Sequence, residues 1–241
     1  MSLSVEQYNF FRHNGFLKLP KRLPSQIVDE QKKAILSHIE DQVEPIVVDK
    51  DNRPIRISKI WERGGIFQEM LTHPYVLDPL ETLLGPNIEY VLNRHNHATL
   101  RLRDDRAAAM SSGTHRDVDE WSRTILTVIF YLEDTNLDNG CTHVVPGTHL
   151  AQGRPYGSPT IDDDPALSAS GILDQRVPVP MPAGGMLAID SMLFHAAGHN
   201  KTSGSRISMT AGYHSVDPFA GVSDPKRVLV RGEMIYQGND Q

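Results

Sequence analysis

Thr124-Ile125-Leu126-Thr127-Val128-Ile129-Phe130-Tyr131-Leu132 is the stretch on which the fold turns. Its β-branched and aromatic residues run almost without a polar break, as in a buried strand. Turn signals follow at Asn139-Gly140 and Pro146-Gly147, and Gly184-Gly185 precedes a second strand-like run from Met186 to Phe194. Arg206 to Tyr213 alternates polar and apolar side chains, as a half-buried strand does. Many short strands punctuated by Gly and Pro predict a mainly β domain, a barrel or double-sheet jelly roll, over about 88–216.

Upstream the pattern is helical. Ser25 is positioned as an N-cap for a helix over 26–41, in which Ile27, Ala34, Ile35 and Ile39 recur near helical spacing. The segment 74–84 ends at Gly85-Pro86, a stop signal. Helices over about 1–87 are expected to cover one face of the sheet. No repeat or linker divides residues 1–241, which read as one domain.

The bulk numbers exclude several classes. Hydrophobic residues at 39% and charged residues at 22% are globular values, and the formal net charge of −6 opposes a general nucleic-acid binder. No apolar run approaches the roughly 20 residues that span a bilayer. The first residues lack the basic start and apolar core of a signal peptide. Cys141 is the single cysteine, so no internal disulfide forms and the cytoplasm is the expected compartment. It reads as a small buried residue.

Two segments interrupt this plain picture. Between Leu92 and Arg103, one face of an extended chain would carry Asn93, His95, His97, Thr99, Arg101 and Arg103. That face is either solvated or a polar lining inside a barrel. The stretch 151–176 is long, aperiodic and rich in Gly, Pro, Ser and Asp, as lids and binding loops are.

His115-Arg116-Asp117 is a His-x-Asp triplet. In a chain with 11 histidines, about one such triplet arises by chance, so the spacing decides nothing by itself. A histidine followed eleven residues later by arginine is as weak, since His95, His143 and His195 all show it. Context is more selective. In an extended segment His115 and Asp117 project from one face, between the loop signal at 111–114 and the buried run at Thr124. One distant histidine would complete a two-histidine, one-carboxylate triad, which leaves three metal positions open. His195 fits best, because it closes the run from Met186, and a hairpin from it to Arg206 would bring a guanidinium to the metal. A planar guanidinium suits a carboxylate better than a lysine does. The rival ligand pair is His95 and His97, whose His-x-His spacing is that of cupin metalloenzymes, although Leu100 and Arg101 stand where those carry glutamate. A jelly-roll binding module without catalysis is the other alternative. Arg116, pointing away from the ligand face, is expected to form a salt bridge. His143 and His149 are expected to make structural hydrogen bonds, and His199 to be a pocket or loop residue.

Several stretches together resemble the phytanoyl-CoA dioxygenase-like branch of the iron(II)/2-oxoglutarate oxygenases. Phe10 to Pro20 is similar to the family's opening segment, and His115-Arg116-Asp117 with Trp121 to its His-x-Asp motif and following tryptophan. Asn139 to His149 resembles its Asn-Gly…Val-Pro-Gly-Ser-His signature, and His195 to Asn200 with Arg206 its distal histidine, asparagine and arginine. Ala197 departs from a serine, and Arg116 from a glutamine, found in several relatives. The resemblance implies a double-stranded β-helix that holds iron(II) on His115, Asp117 and His195 and binds 2-oxoglutarate through Arg206, with O2 as cosubstrate and ascorbate as reductant. Trp121, Asn93, Arg101 and Thr99 are further expected contacts. A small, polar, anionic substrate and a monomer or homodimer complete the expectation.

Overall fold

A computed structural model describes residues 2–103, 113–118, 125–151, 161, 165–216 and 225–234. The anticipated strand is β6, Ile125–Tyr131, and it lies in the middle of a nine-stranded antiparallel sheet. On one side it pairs with β9, Met186–Asp190, which pairs in turn with β1, Phe16–Lys18. On the other side lies β11, Arg206–Ser215. The far edge of β11 is shared by β4, Ile88–Val91, and β5, Asn96–Arg101. Beyond β5 come β3, Pro54–Ser58, and β2, Ile46–Val48, while β12, Arg227–Arg231, pairs with β4. A smaller sheet contains β10, His195–Ala197, β7, Thr142–Val144, and β8, Val177–Val179. The two sheets form a double-stranded β-helix.

The run in β6 lacks alternation because both of its faces are covered. Leu126, Val128 and Phe130 join a core formed with the helices, and the same face of β11 adds Ile207, Met209, Ala211 and Tyr213. The helices are α1, Val5–Asn14, α2, Ser25–Glu40, α3, Gly65–Leu71, and α4, Pro74–Leu84; α5, Pro165–Ala169, lies later in the chain. The other face of β6 points between the sheets. There Tyr131 packs with Phe16, Val144, Val179, Leu187 and Leu193, which fill one part of the barrel. Its remaining part is the cavity described below.

Sequence and structure part company in the first 87 residues. Three of the nine strands of the large sheet, β1, β2 and β3, arise there, and they are too short to register as a period. β12 extends the sheet beyond residue 216. Pro24, not Ser25, occupies the N-cap position of α2 and makes no side-chain cap; its φ of −55° leads directly into the helix. α1 is better capped, by a box in which Gln7 N donates to Ser4 Oγ (3.3 Å) and Ser4 N to Gln7 Oε1 (2.9 Å). α4 ends at Gly85 as its stop signal requires.

Candidate metal centre

Residues 113–118 run extended along the free edge of β10. His115 N donates to His195 O (3.0 Å) and His195 N returns a bond to His115 O (2.9 Å), while Asp117 N donates to Ser191 O (2.9 Å). The two-residue spacing turns both His115 and Asp117 inward. His195 is delivered by the small sheet, where it lies opposite Val144. One ligand atom from each of the three falls within 4.8 Å of the others.

Each ligand is held from behind. His115 Nδ1 lies 2.8 Å from Gly113 O, and His195 Nδ1 lies 3.0 Å from Leu193 O. Carbonyls accept only, so each Nδ1 carries the proton and each Nε2 lone pair faces Asp117. Thr127 Oγ1 donates to Asp117 Oδ2 at 2.6 Å, and an Arg94 Nη1 donates to the Asp117 carbonyl. Asp117 Oδ1 is 3.7 Å from His195 Nε2, 4.0 Å from His115 Nε2 and 3.0 Å from His95 Nε2.

The Asp117 side chain is only 1% exposed. Burial alone would raise its pKa, yet the histidines and the Thr127 hydroxyl outweigh burial and hold the carboxyl below the ordinary range. Burial, followed by the neighbouring His195, lowers the pKa of His115 and favours its neutral, ligating form. A divalent cation between the three would supply the positive charge that this carboxylate requires. The donor set, two neutral imidazole nitrogens and one carboxylate, suits iron(II).

The triad opens into a cavity of about 270 Å³ between the sheets. Strand register orders its wall. On β11, Arg206, Ser208 and Thr210 face inward; on β5, Arg101, Thr99 and His97 lie opposite them. Arg206 is 2% exposed, and its Nε donates to Asn139 O (3.1 Å). No hydrogen-bond partner for its Nη groups is present among the described residues. A buried guanidinium in that condition fits a ligand carboxylate. Thr142, bonded through Oγ1 to Tyr131 Oη (2.7 Å), also lines the cavity, as does Ala197.

The expected site residues fall into three groups. His115, Asp117, His195, Thr99, Arg101 and Arg206 all line this cavity. Asn93 does not. Leu92 to His95 form a turn, the strand starts only at Asn96, and Asn93 is exposed. Trp121 lies outside the described residues, as do Thr124 of the strand run and much of 151–176; Ile161 and Ile172 there pack on Val145 and Phe194. The expected hairpin from His195 to Arg206 is absent, because β10 and β11 belong to different sheets. His95 and His97 line the cavity but do not form the ligand cluster. Arg116 donates to the carbonyls of Thr148 (2.6 Å) and Ala151 (2.9 Å) and lies over the Phe194 ring at 4.2 Å. Arg56, Thr127, Thr142, Ser208 and Thr210 were missed. The four on β6, β7 and β11 carry one signal, polarity at alternate positions of otherwise apolar strands; Arg56, on a five-residue strand, carries none.

A family model described as phytanoyl-CoA dioxygenase (PhyH) matches residues 11–208. The chain belongs to the phytanoyl-CoA dioxygenase family. Membership places it among iron(II)- and 2-oxoglutarate-dependent dioxygenases. It is 25% identical over 238 residues to the human peroxisomal phytanoyl-CoA dioxygenase, covering 89% of this chain and 69% of that one. A probable phytanoyl-CoA dioxygenase of Caenorhabditis elegans is 24% identical, with 89% and 76% covered. Among solved structures, the non-heme epimerase SnoN of nogalamycin biosynthesis superposes with a TM-score of 0.74 at 19% identity, over 94% of this chain and 98% of SnoN. EctD from S. alaskensis with bound Fe also gives 0.74 at 19% identity, over 89% and 77%. SnoN is known in complex with Fe3+, alpha ketoglutarate and nogalamycin RO, and EctD with 2-oxoglutarate and 5-hydroxyectoine.

In this phytanoyl-CoA dioxygenase family member the Asn139–His149 signature is architectural. Gly140 has φ +81°, and a Cβ there would stand 2.3 Å from Gly198 O, so only glycine fits beside the carbonyl that fixes Arg206. Thr148 Oγ1 accepts from Phe194 N (3.0 Å), one residue before His195, and His149 Nε2 contacts Arg12 O at 3.1 Å. Asn200 is likewise structural, donating to Arg101 O (2.8 Å) and Gly204 O (2.7 Å). His143 Nδ1 contacts Cys141 O at 3.1 Å, and Cys141 and His199 are buried.

Proposed function

We propose that this protein oxidises a small, polar, negatively charged metabolite, adding a hydroxyl group or creating a double bond, with release of succinate and CO2. One observation carries the reading: three ligand atoms of the facial-triad type converge in a cavity that a buried arginine also lines. When bound, iron(II) and 2-oxoglutarate would supply the oxidative decarboxylation that activates O2 for attack on a C–H bond.

The chain's own residues position the reactants. His115 and His195 would each offer Nε2 and Asp117 one carboxylate oxygen, with Thr127 holding the other. Arg206 would hold the distal carboxylate of 2-oxoglutarate. Ile129 and the apolar packing around Tyr131 exclude water from that end of the cavity. Asp117 would supply a carboxylate ligand where a halogenating centre leaves room for halide, so the product should gain oxygen or unsaturation, not chlorine. Small-molecule ligands of SnoN and EctD support a compact organic substrate over a macromolecule. No described helix is long and apolar enough to cross a membrane. Residues 1–241 would act as one catalytic domain.

The test is succinate release with iron(II), 2-oxoglutarate, ascorbate and a panel of small organic acids. Iron-dependent succinate that is lost in His195→Ala is expected. Equal yields from the two proteins would overturn the reading.

A further inference from the structure

Arg206 accounts for one carboxylate, yet the cavity wall carries more positive charge than 2-oxoglutarate needs. Inward cations step across three adjacent strands. Arg206 on β11 lies opposite Arg101 on β5, and Arg56 on β3 lies opposite Thr99, two residues before Arg101. Arg206 is buried, whereas Arg56 is exposed at the rim. The Arg56 side chain has no hydrogen-bond or ion-pair partner among the described residues, although it lines the cavity.

Four residues, Arg56, His97, Thr99 and Arg101, line both this cavity and an adjoining cleft of about 960 Å³. The cleft therefore gives the cavity an approach from solvent. Its walls bear Lys50, Arg53, Arg56, Arg101 and Arg103 against Asp49 and Asp51. Arg53 engages both aspartates, at 2.7 and 3.5 Å. On a chain of net charge −6, the described residues of this approach carry five cations against two carboxylates. Such a cleft attracts an anion and orients it. A solubilising surface arginine would point to solvent anywhere on β3, whereas Arg56 is shared by the linings of cleft and cavity.

We infer that Arg56, together with Arg101, forms a second anion site that grips the charged end of the prime substrate, a small organic acid bearing a carboxylate or phosphate. The inference rests on the function proposed above and adds where the substrate's charge is read. It also sets polarity: the anionic group lies at the β3 rim, and the carbon to be oxidised points toward Asp117.

Protein loaded with redox-inert zinc(II) and saturated with 2-oxoglutarate, so that Arg206 is occupied, is titrated calorimetrically with inorganic phosphate and, separately, with propionate. At least one should bind the wild type, and which one does identifies the anion. Losing a charge-assisted contact predicts about tenfold to a hundredfold weaker binding in Arg56→Ala, with a smaller loss in Arg56→Lys. Both variants should bind 2-oxoglutarate and unfold thermally as the wild type does. Failure of both probes to bind, or equal binding to the wild type and Arg56→Ala, overturns the anion site alone when 2-oxoglutarate still binds. A wild type that does not bind 2-oxoglutarate overturns the function as well.

Discussion

Thr127→Val tests whether the metal centre depends on support from behind its ligands. Valine keeps the shape and strand preference of threonine, so β6 should remain paired to Ile189 and Gly212. What disappears is the 2.6 Å bond to Asp117 Oδ2. A hydrogen bond to a buried charge contributes about 1.5–3 kcal/mol, and outer partners of metal ligands typically account for about 10–100-fold in metal affinity. Two features bound the effect. Oδ1 keeps its 3.0 Å contact with His95, and Ser191 Oγ, 3.3 Å from the Thr127 hydroxyl, is the nearby hydroxyl whose movement could restore part of the loss. We therefore expect about 10–100-fold weaker manganese(II) or iron(II) binding by anaerobic calorimetry, with an unchanged far-ultraviolet dichroism spectrum. Thr127→Ser should restore most of the affinity. Wild-type affinity in Thr127→Val would refute the reasoning, because an unpartnered Oδ2 would then cost nothing.

Arg206→Ala should weaken 2-oxoglutarate binding by about tenfold to a hundredfold while iron stays bound; an unchanged titration would move the anchor to Arg101. Burial, then His95 and Arg56, push the pKa of His97 down to about 3. The unfolded chain takes up that proton below about pH 6.5 while the folded one does not, so acid costs stability progressively from there to about pH 3. His97→Gln should flatten the melting temperature over that window, and parallel profiles would contradict this origin. Gly140→Ala imposes a left-handed residue and a 2.3 Å contact with Gly198 O. Such strain costs about 1–3 kcal/mol, which thermal unfolding would register as a loss of several degrees. An unchanged transition would show that the loop relaxes freely.

The sequence made the site's inner half legible and its outer half obscure. β6 could be read because burial on both faces removes the polar alternation, and His115 and Asp117 because extended backbone turns residues two apart to one side. His195 was identifiable, but its partnership with Arg206 by a hairpin was not, since the chain crosses from the small sheet to the large one between them. Asn93 illustrates a different limit. Its exclusion follows from a turn in which His95 adopts φ +52°, packed against Gly212, where a Cβ would stand 3.1 Å from Arg94 O. The turn thus packs closely on a glycine more than a hundred residues away, a proximity that local sequence does not show. Arg56 was invisible for a related reason: β3 has five residues, and only its pairing with β5 gives them an inner face.

The central claim, that His115, Asp117 and His195 hold one iron(II) to which 2-oxoglutarate binds, is tested most directly by anaerobic iron titration. The visible charge-transfer absorbance that appears when 2-oxoglutarate binds iron(II) would be followed in the wild type, His195→Ala, His95→Ala and His97→Ala. One iron per chain is expected in the wild type, with loss of iron and absorbance in His195→Ala and retention of both in His95→Ala and His97→Ala. Iron that survives in His195→Ala but is lost in the other two would contradict that claim and move the metal to the His-x-His pair.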